Sequence, residues 1–253
     1  MRRFGFSTGA LARGNFRKAL EMLGLKTIGA IELSALREHE LQPLIDALES
    51  IDVSRFSYVS VHAPSKYDRS LEKEIAGKLQ NVAKRGWPVV LHPDTIHDFA
   101  VWESFGGRLL IENMDKRYAT GRTVAELATI FDRLPQAGLC FDVGHCKQVD
   151  PTMNESFAIL REFGTRLGQI HLSEVNTQSA HAPLSDASIR AVERIAPFIP
   201  GRVPIILESP VSASEIDWEI ARAALALPIT TLQADRRSLV KPSSNPLSFA
   251  RIK

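Results

Sequence analysis

The sequence predicts a single (β/α)8 barrel, and three observations carry that reading. Short β-branched runs alternate with longer segments whose apolar residues recur at helical spacing. The runs number eight, and a chain of 253 residues is close to the ~250 typical of the fold. An open, doubly wound sheet is the competing architecture. It fits less well, because no Gly-rich phosphate loop follows the first run and polar residues are spread over nearly all the run ends. The barrel domain is assigned to residues 1–253, with 235–253 as an irregular C-terminal extension.

In order, the runs are "RRFGFST", "TIGAIEL", "FSYVSVHA", "WPVVLHP", "RLLIENM", "GLCFDVG", "GQIHLSE" and "VPIILES". Between the third and fourth, Leu71, Ile75, Leu79 and Val82 predict a helix from Leu71 to Arg85. Between the fifth and sixth, Val124, Leu127, Ala128 and Phe131 predict another from Thr123 to Leu134, with Thr123 as cap and Glu126 three residues on in the capping-box pattern. After the eighth run, "SASEIDWEIARAAL" offers Ser214 as cap and acids in the first turn. The tail "KPSSNPLSFARIK" reads as irregular, with Phe249 docked back on the barrel.

Composition excludes several classes of protein. A chain 44% hydrophobic and 24% charged is neither disordered nor fibrous. With 31 basic against 29 acidic residues, it has no global field that would mark a nucleic-acid or membrane binder. The start, "MRRFGFSTGALARGN", lacks the unbroken apolar region of a signal peptide, and no stretch approaches the roughly 18 apolar residues of a membrane span. Cys140 and Cys146 are too few for a disulfide framework, so the expected compartment is the cytoplasm. A homo-oligomer is left open.

Chemistry concentrates where the runs end. In "LLIENMDKR", Glu112 and Asn113 interrupt an apolar run where a buried strand should stop tolerating polarity, and six of the other seven runs end alike in acid or imidazole. A barrel brings those ends to one mouth. Glu112, Asp142, His171 and Glu208, from the fifth to eighth runs, form a hard, mostly oxygen ligand set suited to Mn, Mg or Zn. Three acids crowded in a dry mouth would otherwise have to take up protons. His62, His92, His145 and His181 bring further imidazoles, more than one ion needs, so one divalent ion is the minimum and two or three are accommodated. His39 and His97 fall in helical or linker segments and read as surface residues. Cys140 alternates with Asp142 and should fill the barrel one layer deeper, and Cys146 reads as a buried inert thiol.

In order and spacing, "VSVHAPS", "VVLHP", "LLIENM", "CFDVGH", "IHLSE" and "IILES" resemble the xylose isomerase-like barrel superfamily, which joins sugar isomerases and epimerases with endonuclease IV-type enzymes. The likeness covers nearly the whole chain, and "DVGH" is its most specific piece. It implies that Glu112, Asp142, His171 and Glu208 are the shared metal site, and that His62, His92, His145 and His181 are the further ligands of a trinuclear endonuclease-type cluster. One departure stands out. Endonuclease-type members have an Asp two residues before the last histidine of the cluster, where this chain has Ser179, so the position shared by His145 and His181 would need an oxygen from Glu174 or Asp186.

Two reactions follow from the resemblance. The first is a metal-dependent sugar or sugar-phosphate isomerase or epimerase working through an enediolate, with Glu112 and Glu208 as the acid/base pair and His145 on a substrate hydroxyl. Glu32, a second-run acid that resembles the sugar branch, and Glu174 would contact the same small carbohydrate. The alternative is an endonuclease IV-like multinuclear zinc phosphodiesterase, and only there would nucleic acid be a partner. In either case the loop "MDKRYATGR" offers Lys116 and Arg117, with Arg122 and Tyr118, to a phosphate. The departure at Ser179 and the acid at Glu32 turn the sequence reading toward the carbohydrate enzyme.

Overall fold

The computed structural model describes residues 2–227. The expected tail extension and the docking of Phe249 lie outside the described residues. Each predicted run overlaps one barrel strand: β1 Phe4–Ser7, β2 Ala30–Ser34, β3 Tyr58–His62, β4 Val89–Leu91, β5 Leu109–Glu112, β6 Gly138–Asp142 and β7 Leu167–Leu172. Two short strands not foreseen in the sequence, β8 Glu174–Val175 and β9 His181–Ala182, pair antiparallel as a hairpin, and β10 Ile205–Leu207 is the eighth barrel strand. Neighbours pair in parallel in the order β1-β2-β3-β4-β5-β6-β7-β10, and β10 closes onto β1. Helices on the outside complete a TIM barrel, and among the described residues no helix is long and apolar enough to cross a membrane.

Strand alternation divides the core in two. Val89, Leu91, Leu109, Ile111, Leu139 and Phe141 face the helix layer in one large apolar cluster, whereas Val90, Leu110 and Cys140 form a small cluster inside the barrel. Side chains two residues further on therefore also point inward, at the mouth: His92 after Val90, Glu112 after Leu110, Asp142 after Cys140. Register agrees, with Asp142 beside His171, Ser34 beside His62, and Glu32 beside Ser60 one layer below. Cys140 is thus barrel filling, as its spacing implied. Fully burying each large apolar side chain of the outer layer contributes about 1.5–3 kcal/mol.

The helices follow the predicted periodicity, with adjustments at their starts. The helix Glu72–Lys84 buries Ile75, Leu79 and Val82. Thr123 caps Val124–Arg133 by accepting the Glu126 N–H, but the Glu126 carboxylate reaches back to the N–H of Arg122 rather than to that of Thr123. Ser214 is not a cap. The last described helix, Ile216–Ala226, starts after Glu215, and the Ser214 hydroxyl pairs with that of Ser212.

Gly144, in "DVGH", ties this packing to the mouth. A Cβ there would lie 2.6 Å from Val175 Cγ2 and 2.9 Å from the Ser173 carbonyl oxygen, so the helix Val143–Val149 packs backbone-close against the end of β7. Gly144→Ala should cost about 1–3 kcal/mol of stability through overpacking. Urea unfolding with a midpoint equal to the parent's would contradict that close approach.

Candidate metal centre

Six side chains converge because six strands end beside one another. His62, Glu112 and Asp142 are the last residues of β3, β5 and β6; His92 and Glu208 immediately follow β4 and β10; His171 is next to last in β7. Three groups among the described residues have donor atoms close enough to share an ion: His62, His92 and Glu112; Glu112, Asp142, His171 and Glu208; Asp142, His145 and His181. All eight ligands expected from the sequence fall within these groups.

The Glu112 carboxylate joins the first two. Its Oε2 lies 3.1 Å from His62 Nε2 and 3.3 Å from His92 Nε2, and its Oε1 lies 3.1 Å from His171 Nδ1. Each of its oxygens thus faces a different set of imidazoles. Glu208 Oε2 is 3.5 Å from the same His171 Nδ1. Backing groups fix the rings: His62 Nδ1 is 2.7 Å from the Ala63 carbonyl, and His145 Nδ1 is 3.0 Å from that of Asn113. Asp142 caps its own helix by accepting the His145 N–H through Oδ1 (2.6 Å), which leaves Oδ2 buried with no hydrogen-bond partner. A buried, unpartnered carboxylate oxygen among imidazoles suits a divalent cation.

Asn113 explains the amide in "IENM". Its side chain accepts the Asp142 N–H (2.8 Å) and donates to the Asp142 carbonyl (2.9 Å), clamping the ends of β5 and β6 together.

Other expected site residues sit elsewhere. Glu32 is fully buried, out of reach of a substrate in the mouth, and faces His171 from below at 3.0 Å. Glu174 accepts hydrogen bonds from Lys147, Ser185 and Ser188, and Asp186 pairs with Arg222, so neither supplies the oxygen missing at Ser179. The Ser179 hydroxyl turns away and donates to Gln148 (2.9 Å). Lys116 reaches the Thr177 carbonyl and Arg122 is held by Glu126, whereas Arg117, gripped by the buried Asp115, borders the mouth. Cys146 accepts from Ser156 and burial pushes its thiol up to about 12, as suits an inert residue. His39 and His97 are exposed.

The mouth is a cavity of about 520 Å³, open to solvent, with Glu112, Glu208, His62, His92, His145 and His181 at its floor and Arg13, Arg37, Lys66 and Arg117 on its rim. The first three of these cations were not singled out in the sequence. They follow β1, β2 and β3, and nothing in their neighbouring residues distinguishes them from other surface cations.

Burial and charge oppose each other across this floor. Burial raises Glu112, but the charges of His171 and His92 and hydrogen bonds from His171 and His62 outweigh it and hold the carboxyl well below its usual value. Asp142, pushed first by burial and then by Glu208 and Glu112, rises to about 6. Burial alone would lower His62; its hydrogen bond to Glu112 and the charges of Glu32 and Glu112 reverse this and take it to about 9. Protons on Asp142 and His62 therefore compete with a cation. Zinc affinity should rise steadily between pH 5 and pH 8, and zinc uptake at pH 7.5 should release at least one proton, His62 being protonated below about 9. Calorimetry in buffers of different ionisation enthalpy measures both; uptake without proton release would contradict the expected state of His62.

Residues 96–219, just under half of the chain, match the family model for xylose isomerase-like TIM barrels. No curated protein matches the chain. Among solved structures, endonuclease IV from Thermus thermophilus is 19% identical, with 88% of this chain and 98% of that one covered and a TM-score of 0.58. For 3-keto-D-glucoside 4-epimerase from E. coli the identity is 11%, the coverage 87% and 100%, and the TM-score 0.53. A protein described as a sugar phosphate isomerase/epimerase from Anabaena variabilis is 14% identical, with 98% and 92% covered and a TM-score of 0.51. The resemblance carried by the strand-end motifs therefore holds: residues 96–219, which include Glu112, Asp142, His171 and Glu208, match the xylose isomerase-like TIM barrels, and the whole described barrel has the fold of endonuclease IV and of sugar epimerases alike.

Proposed function

We propose that this protein is a divalent-metal hydrolase acting on a phosphate ester of a small substrate, with a centre of at least two ions. The observation that carries the proposal is the two-sided Glu112. A single ion in the group of Glu112, Asp142, His171 and Glu208 would leave His62 and His92, both aimed at the other oxygen of Glu112, without a role. His62, His92 and Glu112 would hold one ion, and Glu112, Asp142, His171 and Glu208 the next. Bound there, the ions would supply Lewis acidity toward water and toward a phosphoryl oxygen.

The chain's own groups account for the rest. Arg13, Arg37, Lys66 and Arg117 ring the mouth and would orient an anionic ester over the floor. Arg117 is pre-set, since Asp115 grips it at 2.6 Å and its guanidinium stacks on Tyr118. Glu208, 9% exposed, borders the cavity and would accept a proton from an incoming nucleophile. The acids nearest His145 and His181 are engaged elsewhere: Asp142, Glu112 and Glu208 belong also to the four-residue group, Asp115 is held by Arg117, and Ser179 turns to Gln148, so the two imidazoles form the weakest ion position and serve as substrate contacts. The small substrate follows from the "MDKRYATGR" loop, in which Lys116 and Arg122 are already engaged and only Arg117 and Tyr118 reach the mouth.

The isomerase or epimerase remains the second reading. Glu112 and Glu208 both lie within 3.5 Å of His171 Nδ1 and both open on one cavity, an arrangement that also serves a proton-transfer pair. Metal content and reaction type separate the two. Zinc- or manganese-loaded protein should carry two or more ions per chain and hydrolyse bis(p-nitrophenyl) phosphate or small phosphomonoesters. One ion per chain, with deuterium uptake from D2O into a ketose or ketose phosphate and no ester hydrolysis, would overturn the hydrolase in favour of the isomerase.

Two substitutions refine the test. His92→Ala should remove one ion and lower kcat at least about 100-fold, while leaving the ion of the four-residue group in place. Lys66→Ala should raise KM several-fold with little change in kcat, as expected of a group that binds ground state and transition state alike.

A further inference from the structure

We propose that Glu32 is the positioning residue of the centre: from beneath the floor it fixes the tautomer and tilt of His171, so that Nδ1 presents its lone pair to the cation position. The proposal rests on the reading of Glu112, Asp142, His171 and Glu208 as a metal site, and concerns a residue that touches neither ion nor substrate.

Glu32 lies on β2 one layer below the mouth, fully buried, with Oε2 3.0 Å from His171 Nε2. The other donors around Oε2 are Gln169 Nε2 at 2.7 Å and the Ser60 hydroxyl at 3.4 Å. Gln169 is itself oriented, because the Tyr58 hydroxyl donates to its Oε1 at 2.7 Å; its amide group thus has to point toward Glu32 and Cys140. Gln169 Nε2 also approaches His171 Nε2 to 2.8 Å. An N–H from Gln169 to that nitrogen would require it to be bare and would place the ring proton on Nδ1, facing Glu112. The carboxylate decides against this arrangement. Glu32 Oε2 accepts from His171 Nε2–H and from one Gln169 N–H, the second Gln169 N–H turns to Cys140 Sγ at 3.6 Å, and Nδ1 faces the centre 3.1 Å from Glu112 Oε1, where a cation would replace the proton that those two groups otherwise share.

Comparison with other buried carboxylates sharpens the assignment. Glu72 accepts from the backbone N–H groups of His97 and Asp98 and from the Trp102 indole, and Glu219 from the Leu184 N–H and the Ser209 hydroxyl. Both hold chain segments in place. Glu32 has no backbone donor, and two of its three partners are the imidazole of the centre and the amide beside it. A carboxylate buried in a barrel without backbone to satisfy is costly, and its orientation of a ligand supplies a reason for it.

Glu32→Gln keeps the shape and removes the charge. Its amide nitrogen would either face the Gln169 amide and His171 Nε2–H, or occupy the place of Glu32 Oε1, which has no hydrogen-bond partner. Zinc titration against a competing chelator should show the ion of the four-residue group bound about 10–100-fold more weakly in Glu32→Gln. Gln169→Met, which leaves the Glu32–His171 pair, should stay within about threefold of wild type. Nitrogen-15 NMR of zinc-loaded wild type should show His171 protonated at Nε2 and not at Nδ1, a readout independent of whether the variants fold. Equal zinc affinity in wild type and Glu32→Gln, equal losses in the two variants, or a His171 proton on Nδ1 would each overturn the proposal while leaving the metal site intact. A wild type that binds no zinc would instead overturn the metal reading and this proposal with it.

Discussion

The mouth of this barrel is governed by the need to balance buried negative charge. Glu112, Asp142 and Glu208 are brought together at the mouth by the ends of β5, β6 and β10, and all three are buried. At an effective dielectric constant near 20, two unit charges about 4 Å apart interact by roughly 4 kcal/mol, so three unbalanced carboxylates would cost more than a small domain can spare. Imidazoles supply part of the balance. His62, His92 and His171 stand within 3.1 to 3.3 Å of the two Glu112 oxygens. That is enough to hold Glu112 ionised, but Asp142, farther from those rings, still rises to about 6. The remaining deficit of positive charge is centred on Asp142, whose Oδ2 has no hydrogen-bond partner and only His145 Nδ1, at 3.7 Å, as a nearby cation among the described residues.

Rigidity follows from the same requirement. A cluster of charges is useful only if its members cannot relax apart, and here each is held by the element behind it. The Asn113 amide locks the end of β6 to that of β5, the Ala63 carbonyl fixes the His62 ring, and the Asp142 side chain caps the helix that carries His145. The close seat of Gly144 against Ser173 brings that helix near enough for His145 and His181 to stand with ring centroids 5.4 Å apart. Stability and chemistry are therefore linked at the C-terminal end of the barrel, while the apolar layer between strands and helices carries the bulk of the fold.

How far the sequence discloses this depends on the kind of signal. Period-two and helical spacing locate all eight barrel strands, because burial on both faces leaves near-continuous apolar runs with little freedom of register. The metal-ligand candidates were legible for a related reason: a charged residue at the end of such a run has few places to be except the mouth. Glu32 shows the limit. It stands in "AIELS", where the strand continues to Ser34, and Ser34, not Glu32, is level with His62. Only the cross-strand register, which spacing within one segment cannot supply, places Glu32 a layer too deep to meet substrate. The hairpin of β8 and β9 escaped notice because strands of two residues carry no period, and with it went the direction of Ser179. The rim cations Arg13, Arg37 and Lys66 were invisible for a third reason: a loop arginine facing a cavity and one facing bulk solvent have the same sequence.

Ser179 bears on how one scaffold could divide between reactions. Its backbone is left-handed, at φ 58°, a conformation that Asp and Asn adopt more readily than Ser. The turn thus keeps a geometry suited to an acid while carrying a hydroxyl that has turned to Gln148. Neither Glu174, occupied by Lys147, nor Asp186, paired with Arg222, stands in for that acid. His145 and His181 are left as two imidazoles beside a carboxylate already shared with the four-residue group, facing the open part of the cavity. On the proposed hydrolase reading, imidazoles with a weak claim on an ion would be free to hold a substrate hydroxyl or phosphoryl oxygen, so a serine in place of an acid would turn two ligands into two recognition groups. The Glu112 side of the centre keeps its full set of donors. The capacity for chemistry would thereby be retained, while the space that a third ion would take becomes space for substrate.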